Sequence, residues 1–524
     1  MKPALLALAL STTALASGLA DHGEDLFERE KFDYSVHGFF RLRGDWLNNL
    51  DLDRGTTPSG RPLFAVPLGD PTGQSLFVAD MKLRTDLALY APFAAAAVKL
   101  RIDVLDDLVL GSTPSLSPGT GSSPTPAASA TQLPSTLFRL KRAYGEILTP
   151  FGYLAAGRMG NMWGLGMMAN GGDCLDCNRG DQADRVAFVT SLAQHLWAVA
   201  YDFSAVGPLQ TRRDGQRQVI LDPSTDVQSV SFALMNVKDD HTRRRRRLAG
   251  KWTVEYGVLA SYRWQNNDVP AAYLPVATDA ALTPASVMFR GYQAGVVDGW
   301  LRVQAPQFKL EAEVAVLGAT VAQASLLPGV LLRDRVTSLQ VGGALETTLG
   351  APDSVLQGGL NLGAASGDPA PGFGAFPQGS TAPQAGELDG PQLELPRDTR
   401  IDNFRFHSDY RVDRILFAEL VGTVTDAWYV RPWARTRLLE FRSYQLALNV
   451  DGTFSRAIYA SSTPGNDAGL GMELHAALTW ASKDGFDVLA EYAVLFPFAG
   501  FDNPAQGLTA RPAQLGRVRL AWRF

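Results

Sequence analysis

The chain has 524 residues, a formal net charge of −5, 46% hydrophobic residues and 50 glycines. That charge excludes nucleic-acid binding by bulk electrostatics, and the hydrophobic fraction is low for a bundle of membrane helices. Abundant glycine with 10% aromatic residues suits many strands joined by glycine-bearing turns.

At the N-terminus, Lys2 is the only charge before Asp21, Ala4–Leu10 is apolar throughout, and small residues follow. This layout predicts a secretory signal peptide over residues 1–20, cleaved after Ala16 or Ala20. Its apolar core is too short to cross a bilayer as a helix, and no later stretch is long enough. Residues 21–524 are therefore expected to be soluble or to form a barrel. Only a closed barrel lets strands span lipid with every backbone group paired.

Period-two alternation begins at once. Val36, Gly38, Phe40 and Leu42 share one face, and His37, Phe39, Arg41 and Arg43 the other. Residues 81–89 set Met81, Leu83, Leu87 and Leu89 against Lys82, Arg84 and Asp86. Residues 98–104 set Val98, Leu100, Ile102 and Val104 against Lys99, Arg101 and Asp103. Side chains of a strand alternate between faces, and burying so many unpaired cations in a dry core would cost several kcal/mol each. A wet lumen inside an apolar outer wall removes that cost.

Between these strands, 48–75 and 106–135 read as long loops, the second rich in Ser, Thr, Pro, Gly and Ala. Arg142, Glu146 and Arg158 flank the Thr149–Gly152 turn. Arg158 is expected to face Arg142 or Glu146 across that turn, either as a wall ion pair or as part of a constriction. Cys174 and Cys177 are the only cysteines, and in an exported chain they predict a disulfide closing a very small loop. Asp173, Asp176, Asp181 and Asp184 match no defined calcium loop and are expected to be solvated. No other pattern points to a metal or a cofactor.

Arg243–Arg247 is a run of five arginines, expected as a solvated turn on the periplasmic side, with anionic lipid or a periplasmic partner as the alternative. Residues 252–265 alternate strictly: Trp252, Val254, Tyr256, Val258, Ala260, Tyr262 and Trp264 on one face, with Arg263 among those opposite. Aromatics at both ends of an apolar face form an interface girdle. Segments 265–287 and 364–399 are further long loops, whereas Ala305–Gln307, Ala351–Asp353 and Asp484–Gly485 are short turns. The last strand sets Val518, Leu520, Trp522 and Phe524 against Arg517, Arg519, Ala521 and Arg523.

The expected fold is all-β: one closed antiparallel transmembrane barrel over 21–524, of about 20 strands (16–22, an even number), with short periplasmic turns and long outer loops. The expected lumen residues are Arg41, Arg43, Lys82, Arg84, Lys99, Arg101, Arg142, Glu146, Arg158, Arg263, Arg517 and Arg519. On that assignment Val258→Arg or Leu520→Arg is costly and Arg519→Leu is cheap.

Two resemblances add to this reading. Leu140–Glu146, Gly157-Arg158-Met159 with Trp163-Gly164-Leu165-Gly166, Cys174–Cys177, and the stretch from Asp184-Arg185-Val186 to Tyr201-Asp202-Phe203 resemble an uncharacterised family of myxobacterial and related outer-membrane barrels. The C-terminal third, with Leu470–Leu474, Asp484-Gly485-Phe486 and Leu495-Phe496-Pro497, is similar to alginate-export and related porin barrels. The second likeness implies a monomeric barrel passing a solute or polymer. The terminal Phe524 resembles the C-terminal signature of outer-membrane barrels, and implies recognition by their assembly machinery.

The function expected is a porin-like channel for small solutes or polymer, embedded in outer-membrane lipid as a monomer or trimer. The alternative is a structural or adhesive barrel plugged by loops 106–135 and 364–399. A membrane-embedded hydrolase comes third, since the six histidines form no recognisable catalytic spacing.

Overall fold

A computed structural model of the chain describes residues 25–68, 74–110, 138–205, 210–213, 217–220, 223–269, 284–325, 331–374, 384–388, 393 and 398–524. The predicted signal peptide, most of loop 106–135 and much of loop 364–399 lie outside the described residues.

Eighteen antiparallel strands form one closed sheet. In chain order the first seven are β1 (Asp33–Asn48), β2 (Ser75–Tyr90), β3 (Ala96–Val109), β4 (Phe138–Thr149), β5 (Gly152–Gly160), β6 (Gln182–Leu192) and β7 (His195–Ala205). A small hairpin, β8 (Gln210–Arg213) and β9 (Arg217–Ile220), stands apart from the barrel. The wall resumes with β10 (Val227–Asn236), β11 (Thr253–Asp268), β12 (Met288–Ala305), β13 (Phe308–Val321), β14 (Val336–Leu349) and β15 (Leu356–Ala365). It ends with β16 (Ala427–Glu440), β17 (Tyr444–Ala457), β18 (Gly469–Ser482), β19 (Phe486–Pro497) and β20 (Ala513–Arg523). Pairing of β20 with β1, from Phe39 opposite Arg523 to Asn48 opposite Gln514, closes the ring and leaves no sheet edge.

The barrel has 18 strands where the sequence suggests about 20. Its strands are long, 18 residues in β12, and residues 401–426 fold inward rather than cross the wall. Short connections such as 91–95, 150–151, 306–307 and 483–485 share one end with the start of β1 and the end of β20. Long ones, including 49–74, 161–181, 366–426 and 498–512, share the other. The five arginines are not a loose turn. They form most of a helix, α1 (Asp240–Leu248), capped by Asp239 and seated at the short-turn end.

The two faces divide as the alternation predicts. On β20, Val518, Leu520 and Trp522 are 55%, 43% and 44% exposed, whereas Arg517 and Arg519 are 4% and 8% exposed. No helix among the described residues is long and apolar enough to cross a membrane. The interior is packed with inward side chains and two inward segments, 161–181 and 399–426. One apolar cluster gathers Trp163, Met159, Met235, Leu259 and Trp300, and another gathers Phe404, Phe406, Leu416, Phe417 and Tyr429.

Candidate functional site: an asymmetric lumen

The register arranges inward residues in rows around the wall. On the arc formed by β20 and β1–β4, these rows are dense in charge, with bases outnumbering acids. One runs Arg519, Arg43, Asp80; the next runs Ala521, Arg41, Lys82; a third runs His37, Asp86, Arg101, Arg142. The cations are partnered. Arg41 and Arg43 both reach Asp80 at 2.7 Å. Arg84 holds Asp103 at 2.8 Å, and Lys99 holds Glu146 at 2.9 Å.

Segment 161–181 lies against this arc and supplies acceptors to several of its donors. Arg41 donates to the carbonyl of Leu175 at 2.8 Å, Lys82 to that of Cys177 at 3.2 Å and Arg142 to that of Gly171 at 2.7 Å. Asp173 pairs with Arg101 and Arg142, and Asp176 pairs with Arg519. Burial opposes ionisation of both aspartates, but the guanidiniums outweigh it: Arg142 and Arg101 hold the Asp173 carboxyl below its ordinary range, and Arg519 and Arg517 do the same for Asp176. These two acids are therefore clamps rather than solvated loop residues. The predicted disulfide Cys174–Cys177 is present and closes the turn between them.

Segment 399–426 braces the opposite arc. Glu473 of β18 accepts hydrogen bonds from the backbone amides of Arg414, Ile415 and Leu416 at 2.7, 3.0 and 3.1 Å. Arg414 reaches Glu491 at 2.9 Å, and Tyr410 donates to Glu346 at 2.9 Å. Asp409 accepts from the amides of Asn178 and Arg179 at 3.0 and 2.8 Å, which ties the two inward segments together.

The arc from β6 to β13 differs. Its inward rows, read from the long-loop end, begin with Arg185, Asp202, Ser229, Arg263 and Ala294. Ala187, Ala200, Ser231, Ser261, Val296 and Leu317 follow, then Val189, Ala198, Ala233, Leu259, Asp298 and Ala315. Small side chains here leave a cavity of ≈ 600 Å³, lined by Asp181, Arg185, Asp202, Ser229, Ser231, Ser261, Arg263 and Tyr292 among others. Arg185 is locked to Asp202 by two hydrogen bonds of 2.5 and 2.8 Å. Below the cavity Trp163 rests on the wall, its indole N–H donating to Asp298 at 3.1 Å. Glu313 accepts from the amides of Leu165 and Met168 at 2.5 and 3.2 Å and so fixes the backbone behind it. Beyond Trp163, Glu255, Arg302 and Glu311 form the last charged row, which Arg243 of α1 joins at 2.9 Å.

Of the twelve expected lumen residues, eleven point inward. Arg158 does not. Inward positions on β5 are Tyr153, Ala155, Gly157 and Met159, so Arg158 takes the outward parity, pairs with Asp184 of β6 at 2.7 Å and borders the rim of the cavity. Ten of the eleven, Arg41, Arg43, Lys82, Arg84, Lys99, Arg101, Arg142, Glu146, Arg517 and Arg519, are buried. Arg263 alone among them lines the open cavity. Sequence reasoning missed Trp163, the carboxylates Glu313 and Glu473, and the hydroxyl row of Ser229, Ser231 and Ser261. The alternation of Ser229 and Ser231 with apolar neighbours was the available signal for the last. Among the described residues no group of three or more His, Cys, Asp or Glu side chains could hold a metal ion.

No protein-family model matches the sequence, and no curated protein matches it significantly. Solved structures similar to it include the outer-membrane channel DcaP of Acinetobacter baumannii, 12% identical over 95% of this chain and 99% of that one, with a TM-score of 0.35. OccK11 of Pseudomonas aeruginosa is 10% identical over 93% and 96%, with a TM-score of 0.42. An anion-selective porin of Comamonas acidovorans is 8% identical over 94% and 100%, with a TM-score of 0.39.

Proposed function

We propose that the chain is a porin-like channel of the bacterial outer membrane, passing small solutes along the β6–β13 side of its lumen. The observation that carries this reading is the asymmetry of the interior. One arc is filled by a segment clamped to arginines, while the other is lined by small and hydroxyl side chains around a ≈ 600 Å³ cavity. The outward apolar face suits acyl chains, and 18 strands suit a lumen wide enough to hold two inward segments. The long loops then lie outside the cell and α1 in the periplasm. Kinship with the myxobacterial-type barrels, delivery by assembly machinery that reads Phe524, and a monomeric or trimeric state belong to the same reading. A cavity of ≈ 600 Å³ favours small solutes over a polymer.

A second reading, a barrel that conducts nothing, has its own support in Trp163, which covers the floor of the cavity with 4% of its surface exposed. The plug would then be 161–181 with 399–426, rather than the two loops the sequence suggests. Planar-bilayer recording of the purified protein separates the two. The channel reading expects discrete steps of small conductance, and a flat lipid baseline overturns it.

A further inference from the structure

The cavity carries a charge arrangement that specifies more than small size. Arg185 and Asp202 neutralise each other through two hydrogen bonds. Arg263, three strands away from Arg185 in the same inward row, makes no ion pair among the described residues. It stands beside Ser229, whose hydroxyl is 3.2 Å from that of Ser261. Ser231 donates to Ser261 at 2.9 Å, so three hydroxyls continue the polar surface below it. Asp184 at the rim is paired with Arg158 at 2.7 Å, which leaves Asp181, just before β6; its side chain is 43% exposed, and its ion-pair partner among the described residues is the His407 ring, at 3.4 Å. Among the described residues the cavity thus holds one cation without an ion pair and one anion paired only with a histidine, on separate segments of the wall. From β6 to β11 is three strand spacings, about 14 Å across the wall, and Asp181 lies four residues, about 13 Å, further along it than Arg185, so the two charges meet one small solute with the Arg263 side chain extended toward Asp181.

We propose that this cavity binds a small zwitterion of the α-amino-acid type, with Arg263 taking the carboxylate and Asp181 the ammonium. This rests on the channel reading above and names its solute class. A planar guanidinium can hold a carboxylate by two parallel hydrogen bonds, and the exposed Asp181 carboxylate supplies acceptors to an ammonium. The serine hydroxyls offer donors and acceptors to polar side chains of the solute, while Val296 and Leu317 give its carbon skeleton an apolar floor. A purely anionic solute would leave Asp181 facing it, and a purely cationic one would leave Arg263 facing it. Each is disfavoured by the charge it fails to meet.

The test uses the purified full-length protein in liposomes and three probes that differ in one charge each: L-glutamine, N-acetyl-L-glutamine without the ammonium, and L-glutaminamide without the carboxylate. Swelling with erythritol reports the open path alone. The proposal expects L-glutamine to enter several-fold faster than either blocked derivative. R263Q and D181N should each remove that preference, read as the rate of each probe relative to erythritol in the same variant. Equal rates for all three probes, or N-acetyl-L-glutamine fastest, would overturn it while leaving the channel intact. If erythritol itself does not enter, the channel reading fails. Titration of L-glutamine into the folded protein in detergent then decides the site separately: saturable binding lost in both variants sustains it, and no saturable binding overturns it.

Discussion

The indole of Trp163 occupies space that Gly257 leaves by having no side chain: a Cβ at Gly257 would lie 2.9 Å from Trp163 Cη2. A contact that close cannot be accommodated unless the ring moves. Gly257 sits on β11 one row below Leu259, directly under the cavity. Trp163→Ala is therefore expected to raise single-channel conductance several-fold, and Gly257→Val to raise it by pushing the ring off the wall. Unchanged conductance in both variants would show that the solute path does not pass Trp163.

The clamp of 161–181 carries a pH dependence. The Asp173 and Asp176 carboxyls are held below their ordinary value of 3.8. A depressed carboxylate stabilises the docked state at pH above its undocked value, and that contribution disappears as pH falls through the depressed value. Docking is thus complete near neutrality and weakens below 3.8. Recordings should show conductance rising as the pH is lowered below 3.8, and Asp173→Asn should show the larger current already at neutral pH. A current independent of pH in this window contradicts the clamp.

Much of this was legible in sequence. The inward faces of β1–β3, β11 and β20 follow from period two alone, and the even strand number follows from both termini sharing one end. The disulfide was legible because no other cysteine competes. Arg158 departs from its expected position because strand parity overrides proximity to the turn: Tyr153 and Ala155 face inward, which gives Arg158 the outward parity. The partners of the arginine rows were invisible for a different reason. Arg41 meets Leu175 across 134 positions, and Arg519 meets Asp176 across 343, and nothing local encodes such pairings. A wet lumen and a segment rich in aspartate both make cations tolerable inside, and alternation cannot distinguish them.

That distinction reverses one mutational expectation. Val258→Arg places charge on the outward face and costs about 2–4 kcal/mol near mid-membrane. Arg519→Leu is not the cheap change that a water-filled lumen implies, because it removes the nearest partner of the buried Asp487 and the partly buried Asp176 and leaves each with a cation only at 3.9 Å. Breaking a buried pair from one side costs about 3–5 kcal/mol. Urea unfolding in lipid vesicles should rank Arg519→Leu as no milder than Val258→Arg. A negligible effect of Arg519→Leu would mean that water, not Asp176, solvates the arginine.

The disulfide closes a ring with a sequence separation of three, so its effect on the unfolded chain is small. The double variant Cys174→Ser with Cys177→Ser should leave the unfolding midpoint of the barrel within about 1 kcal/mol of the parent. A large loss would assign the cysteines a role in the barrel wall rather than in the inward turn.

Substituted-cysteine labelling during current recording tests the central claim most directly, because both native cysteines are joined in the disulfide and no other free thiol is present among the described residues. Ser261→Cys lies on the open arc, and Ala521→Cys points inward on the clamped arc at 2% exposure. A water-soluble cationic methanethiosulfonate should cut the current through Ser261→Cys and leave Ala521→Cys untouched. Block at Ala521→Cys without block at Ser261→Cys would place the solute path on the arginine side and contradict the account.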